Sequence, residues 1–146
     1  MRVMLQNVPI LAGLDPAAID QLCAHAIESI YPVGSLIVRE GETSNRFFLI
    51  AEGTVRICRQ FGQADEIELA QLGRGEFFGE MCILETLPRA ATVQAICDTT
   101  VVSLTSMAFY HLYQALPAQH SILVLNIARD LSRRLRHLGG VFAARH

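Results

Sequence analysis

The spacing of apolar residues changes twice along the chain. Ile19, Leu22, Cys23 and Ala26 recur at helical spacing behind Asp15 and Pro16. Asp15 suits an N-cap, and the fixed φ of Pro16 suits a first helical position. From Ser29 to Thr105 the period shortens. Brief apolar runs are separated by Gly34, Gly41, Gly53, Gly62, Gly73 and Gly75, with alternation over Val55–Cys58, around Ile67 and Leu69, and at Thr92 and Gln94. Short strands joined by frequent glycine turns predict a sandwich or barrel. Within this region only the turn near Glu80–Glu85 reads as helical.

The helical period returns after Thr105. Thr105 or Ser106 caps a helix running through Leu116, and Pro117 opens another. In that last helix Val124, Ala128, Leu131, Leu135 and Leu138 fall at alternating spacings of four and three, an a/d seam of about two heptads. Gly139 and Gly140 are expected to end it. The seam has three readings: packing on the chain's own strands, pairing with a second copy, or a lid over a ligand. The predicted organisation is one domain: helical residues 1–28, strands over 29–105, and C-terminal helices over 106–146.

Composition adds constraints. A chain of 146 residues, half of them hydrophobic, can enclose a core. No run reaches the ~18 apolar residues of a membrane span, and no leader pattern opens the chain, so a cytoplasmic protein is expected. Cys23, Cys58, Cys82 and Cys97 form no Cys-x-x-Cys pair and have apolar neighbours, which reads as buried thiols in a reducing compartment. All twelve basic residues are arginine. Residues 1–128 hold seven of them against thirteen acids, a net of −6; residues 129–146 hold five against one, a net of +4. The basic end reads as a solvated helix face, or as a contact for acidic protein surface or nucleic acid.

The chemistry concentrates in residues 78–93. A glycine turn at Gly79 before a short helix exposes backbone N–H groups to an anion. Arg89 offers the planar two-donor fork that suits phosphate. Glu80 cannot bind phosphate but can accept from sugar hydroxyls. The small residues Ala90 and Ala91 allow close approach. An acid for a ribose, an arginine for a phosphate and small apolar neighbours for a base describe a nucleotide site.

This segment resembles the phosphate-binding cassette of cyclic nucleotide-binding domains, as in protein kinase A regulatory subunits and catabolite activator proteins. Phe78-Gly79-Glu80 and, nine positions after Glu80, Arg89-Ala90-Ala91 match its pattern. Residues 31–42 and 47–55 resemble the family's early strands and glycine turns. The resemblance implies a mainly β jelly-roll barrel (a double-stranded β-helix) with flanking helices. It also implies backbone donation to phosphate from Gly79, Met81, Cys82 and Ala90. Ala91 is then a base-lining residue. Ile67 and Leu69 could line the base too, but their alternation favours the core. In resembling kinase domains a threonine at the position of Ala90 favours cGMP, and in catabolite activators a serine there touches phosphate. Ala90 has no hydroxyl, which leans toward cAMP without excluding cGMP.

No enzyme is expected. None of His25, His111, His120, His137 and His146 falls among the strands, and no nucleophile elbow occurs. No metal and no cofactor are expected beyond the cyclic nucleotide ligand. Resembling transcription factors carry a helix-turn-helix after the long helix, and these 146 residues leave no room for one, so sequence-specific DNA binding is not expected. Output would pass through a separate protein effector or a homodimer on the C-terminal helix. The competing function is an interaction module of the same fold, with an unoccupied pocket or another anionic ligand.

Overall fold

The chain is described by a computed structural model covering residue 5, residues 7–81 and residues 88–145, with residues 138–145 described by backbone alone. A 3₁₀ turn at Pro9–Leu11 and helix α1 at Pro16–His25 precede the strands. These are β1 (Ile27–Tyr31), β2 (Leu36–Val38), β3 (Arg46–Glu52), β4 (Thr54–Arg59), β5 (Ile67–Gly73), β6 (Phe77–Phe78), β7 (Thr92–Ala95) and β8 (Thr99–Thr105). Helices α2 (Ser106–Ala115) and α3 (Pro117–Arg145) follow.

The strands form two four-stranded antiparallel sheets, ordered β1-β8-β3-β6 and β2-β7-β4-β5. Successive strands alternate between the sheets, as in a jelly roll, except at the β4–β5 hairpin, and no ladder joins the sheets into a closed barrel among the described residues. The fold is mainly β with flanking helices, as expected.

Strand β3 explains the layering. Its residues Phe47 to Ala51 are all buried, because both faces are covered. Phe47, Leu49 and Ala51 belong to the core beneath the helices, with Leu22, Phe77, Phe109, Leu112, Leu123 and Ile127. Phe48 and Ile50 belong to the core between the sheets, with Val55, Phe78, Val93 and Val101. β6 is split the same way: Phe77 stacks on Phe47 at 5.3 Å, and Phe78 on Phe48 at 5.0 Å. Each such side chain contributes about 1.5–3 kcal/mol by burial. Two residues of β6 therefore pin the start of the cassette to both cores.

The helices are tied to each other by polar contacts as well. Asp15 does not cap α1 with its side chain. Its carboxylate instead accepts from Gln119 Nε2 at 3.1 Å, and its N–H donates to Gln119 Oε1 at 2.7 Å, joining the starts of α1 and α3. Asn126 Nδ2 donates to the carbonyls of Ile10 and Ala12.

Several expectations are corrected. Helix α3 does not stop at Gly139-Gly140 but continues to Arg145. Glycine costs only about 1 kcal/mol in a helix interior, and helix-forming Ala143 and Ala144 follow. Ile67 and Leu69 are not core: they are 55% and 47% exposed on β5, which among the described residues pairs only with β4. Of the cysteines, Cys58 is buried, Cys23 half-buried and Cys97 exposed on the turn after β7, while Cys82 lies outside the described residues. Burial pushes the Cys58 thiol above its ordinary pKa, so it stays protonated.

The β3–β4 turn is a point of close approach. Gly53 has φ +98°, and a Cβ there would fall 2.5 Å from Thr99 Oγ1 and 2.8 Å from the Asp98 carbonyl. The backbone strain alone costs about 1–2 kcal/mol for a non-glycine residue. Gly53→Ala is expected to lower the thermal midpoint by several degrees, read by calorimetry; an unchanged midpoint would contradict this turn geometry.

Candidate ligand-binding site

The residues that follow β6 and those that precede β7 meet across one cavity of about 230 Å³. Gly79, Glu80 and Met81 line one side, Arg89, Ala90 and Ala91 another, and Val38, Phe78 and Val93 its floor. Six of the seven residues predicted as a site therefore come together. Cys82 falls among residues 82–87, outside the described residues. Glu80 and Ala91 are half-buried; Met81 and Ala90 are exposed.

Arg89 is held on several sides. Its N–H donates to the Glu42 carbonyl and its carbonyl accepts from Gly41 N–H, both at 2.8 Å. Thr43 and Pro88 extend this pairing by one bridge. Its side chain runs inward, leaving the residue 9% exposed. Nη2 donates to the Arg46 carbonyl at 2.6 Å, and the guanidinium lies 5.9 Å from the Phe48 ring centroid. A planar guanidinium carries five N–H donors, a geometry suited to an anion in the cavity.

Gly79 makes that position possible. Its φ is +81°, and a Cβ would stand 2.7 Å from Arg89 Nη1 and 2.8 Å from the Arg46 carbonyl. The glycine is needed twice, for its backbone conformation and for the room it leaves the guanidinium.

One charged lining residue was missed by sequence reasoning. Arg134 of α3 reaches the same cavity. Its Nη2 donates to the Phe77 carbonyl at 2.8 Å and lies 3.2 Å from Asp130 Oδ2, and its guanidinium lies 4.2 Å from the Phe77 ring centroid. Most of the a/d seam is not the face that packs on the chain's own strands, and the side chain of Leu138 lies outside the described residues. Leu123 and Ile127 are buried and Leu131 packs against the helical core, whereas Val124 and Ala128 are exposed and Leu135 is 70% exposed. Arg134 continues the inward face, seven residues after Ile127. The i,i+4 pair with Asp130 was the legible signal. Ile67 and Leu69 are absent from the described lining.

A family described as "Cyclic nucleotide-binding domain" matches residues 28–115. The chain belongs to the cyclic nucleotide-binding domain family. It is 33% identical over 132 residues to a cyclic AMP receptor protein from Thermus thermophilus, covering 90% of this chain and 59% of the relative. It is 36% identical over 109 residues to a cAMP-dependent protein kinase regulatory subunit from Aspergillus fumigatus, covering 74% of this chain and 25% of that subunit. The crystal structure of the Thermus thermophilus catabolite activator protein matches with a TM-score of 0.76 at 32% identity, over 92% of this chain and 62% of that one. The chain thus spans less than two thirds of the length of each of these curated relatives.

In a cyclic nucleotide-binding domain built this way, Gly79→Ala is expected to displace the Arg89 guanidinium without emptying the cores. The fold should persist by circular dichroism. Affinity for an anionic ligand of the cavity should fall about tenfold or more, the loss of one charge-assisted contact. Unchanged affinity in titration calorimetry would contradict the role given to Gly79.

Proposed function

We propose that this domain is a cytoplasmic, non-enzymatic cyclic nucleotide sensor whose ligand, expected to be cAMP, binds with its phosphate on Arg89 and its ribose on Glu80. The observation that carries this reading is the placement of a buried, internally braced arginine beside Gly79 and a half-buried carboxylate in one cavity. Membership of the family supports it, as does the cyclic AMP named in the Thermus thermophilus relative. The cAMP choice rests on Ala90, which offers no hydroxyl to a guanine amino group. Among the described residues no helix is long and apolar enough to cross a membrane.

Signalling would proceed by population shift. A ligand moves an equilibrium only as far as its affinities for the two states differ. Arg134 ties α3 to the Phe77 carbonyl, one residue before Phe78 and two before Gly79. A ligand that tightens residues 79–81 around Arg89 would act on that tie and bias where α3 rests. The exposed seam through Val124, Ala128 and Leu135 would then serve a homodimer or a separate protein effector.

The test is titration calorimetry with cAMP and 2′-deoxy-cAMP. Arg89→Lys is expected to weaken cAMP binding roughly ten- to a hundredfold, because an ammonium cannot reproduce a bidentate contact worth about 1.5–3 kcal/mol. Wild-type protein should bind 2′-deoxy-cAMP less tightly than cAMP, and Glu80→Ala should lose most of that difference. Undiminished affinity in Arg89→Lys would remove the phosphate assignment, and an equal response to both ligands would remove Glu80 from the site.

The dimer is tested separately. Leu135 is 70% exposed, so Leu135→Asp should leave the fold intact and convert a dimer to monomers in light scattering. Leu131 packs on the helical core, so Leu131→Asp should lower thermal stability instead. A wild-type protein that is monomeric at high micromolar concentration would exclude the dimer.

A further inference from the structure

A second cavity, of about 320 Å³, adjoins the first and shares Val38, Ser44 and Arg89 with it. Its size falls at the low end of the about 300–1,000 Å³ usual for ligand pockets. Its walls include Ile27 of β1 and Ile37 of β2, each the edge strand of its sheet, and Arg46 and Phe48 of β3. Ile27 is 50% exposed, which puts it at the mouth.

Arg46 gives this cavity its chemistry. Its side chain is half-buried and permanently charged. Among the described residues it makes no ion pair, and its one side-chain hydrogen bond runs from Nη1 to Ser103 Oγ at 3.2 Å. Ser103 is buried, and its hydroxyl donates in turn to the Ile27 carbonyl at 3.4 Å. Arg56 and Arg134, also half-buried, each face a carboxylate, at 3.1 and 3.2 Å. Arg46 faces a neutral hydroxyl instead. A guanidinium withdrawn from water carries a desolvation cost that a bound anion would offset.

The class of anion follows from the walls. Glu42 lines the same cavity, its side chain 61% exposed and 4.0 Å from Arg39. That carboxylate disfavours a phosphate dianion more than a monoanion. Ile27, Ile37 and Phe48 offer apolar surface to a hydrocarbon body. We infer that this cavity is a second ligand site, separate from the nucleotide cavity, that takes a small organic monocarboxylate with an apolar chain. The carboxylate accepts the parallel N–H donors of the Arg46 fork, and the chain lies on the two isoleucines. Binding here does not require a ligand in the first cavity. The occupant is nevertheless held by the residue whose carbonyl braces Arg89.

The probes are hexanoate and hexanamide, alike in shape and different in charge, titrated into wild-type protein and Arg46→Gln. Glutamine can still donate to Ser103 Oγ. The wild type is expected to bind hexanoate saturably, and about tenfold or more tightly than hexanamide, the worth of one charge-assisted contact. Arg46→Gln should lose that preference. No saturable binding of hexanoate, equal affinity of the wild type for both probes, or an undiminished preference in the variant would each overturn the inference. The place of binding is read from nuclear Overhauser contacts between bound hexanoate and side-chain methyls. Contacts to Ile27 and Ile37 are expected, since these line the second cavity and are absent from the described lining of the first. Contacts to Ile57 and Met81 would put hexanoate in the first cavity and overturn the assignment. Should Arg46→Gln fail to fold, the two probes and the methyl contacts decide on the wild type alone.

Discussion

A guanidinium can serve as a fixed anion anchor only if something other than the anion holds it in place, and here that is the Arg46 carbonyl 2.6 Å from Nη2 of Arg89. The bond depends on three pieces of chain arriving together. Gly79 must lack a Cβ, since one would stand 2.7 Å from Nη1 and 2.8 Å from the accepting carbonyl. The loop at Gly41 and Glu42 must hold the Arg89 backbone, with one hydrogen bond in each direction. Arg46 must open β3, whose pairing with β8 sets where its carbonyl points. An arginine buried to 9% exposure without such support would carry a heavy desolvation cost. With it, part of that cost is met before any ligand arrives, and ligand binding does not have to order the side chain.

That bracing in turn depends on β3 being covered on both faces. Its odd-numbered residues Phe47, Leu49 and Ala51 face the helices and its even-numbered Phe48 and Ile50 face the opposite sheet. A strand fixed this way cannot slip by one residue, because a slip would exchange its two faces. The Arg46 carbonyl is therefore a rigid acceptor. The stacked pairs Phe47–Phe77 and Phe48–Phe78 carry the same rigidity to the residues just before Gly79.

The site was legible in the sequence where its parts are close in the chain. Gly79, Glu80 and Arg89 lie within eleven residues, and glycine, acid and arginine at that spacing have few other uses. The strands were legible from the glycine turns, and Asp15-Pro16 marked a helix start. Three features were hidden for physical reasons. Ile67 and Leu69 alternate like core residues, yet β5 sits at a sheet edge, and edge position is a property of topology. Gly139-Gly140 resembles a stop, but helix ends are set by the balance along several residues, and the alanines that follow favour continuation. Arg134 was hidden because the helix phase was off by one: Val124 and Leu123 are equally apolar, and only the packing of Leu123 and Ile127 beneath β3 decides which face turns inward.

The phase of α3 also links the cavity to the rest of the molecule. One face of this helix closes the helical core through Leu123, Ile127 and Leu131. A turn further on, the same face delivers Arg134 to the Phe77 carbonyl, next to the residues that line the cavity. The apolar stripe through Val124, Ala128 and Leu135 lies on another side and stays exposed. Cavity wall and exposed stripe are thus two faces of one rigid rod, and a helix cannot rotate one without the other. A rotation of the helix that carried Arg134 away from the Phe77 carbonyl would turn the stripe with it. Among the described contacts of Arg134, the hydrogen bond to the Phe77 carbonyl is directional, whereas the apolar contacts of the helix are spread over several side chains. A small shift of the Phe77 carbonyl breaks the first long before it disturbs the second. The hydrogen bond to the Phe77 carbonyl is thus the contact of this helix face most sensitive to the position of the residues that lead into the cavity.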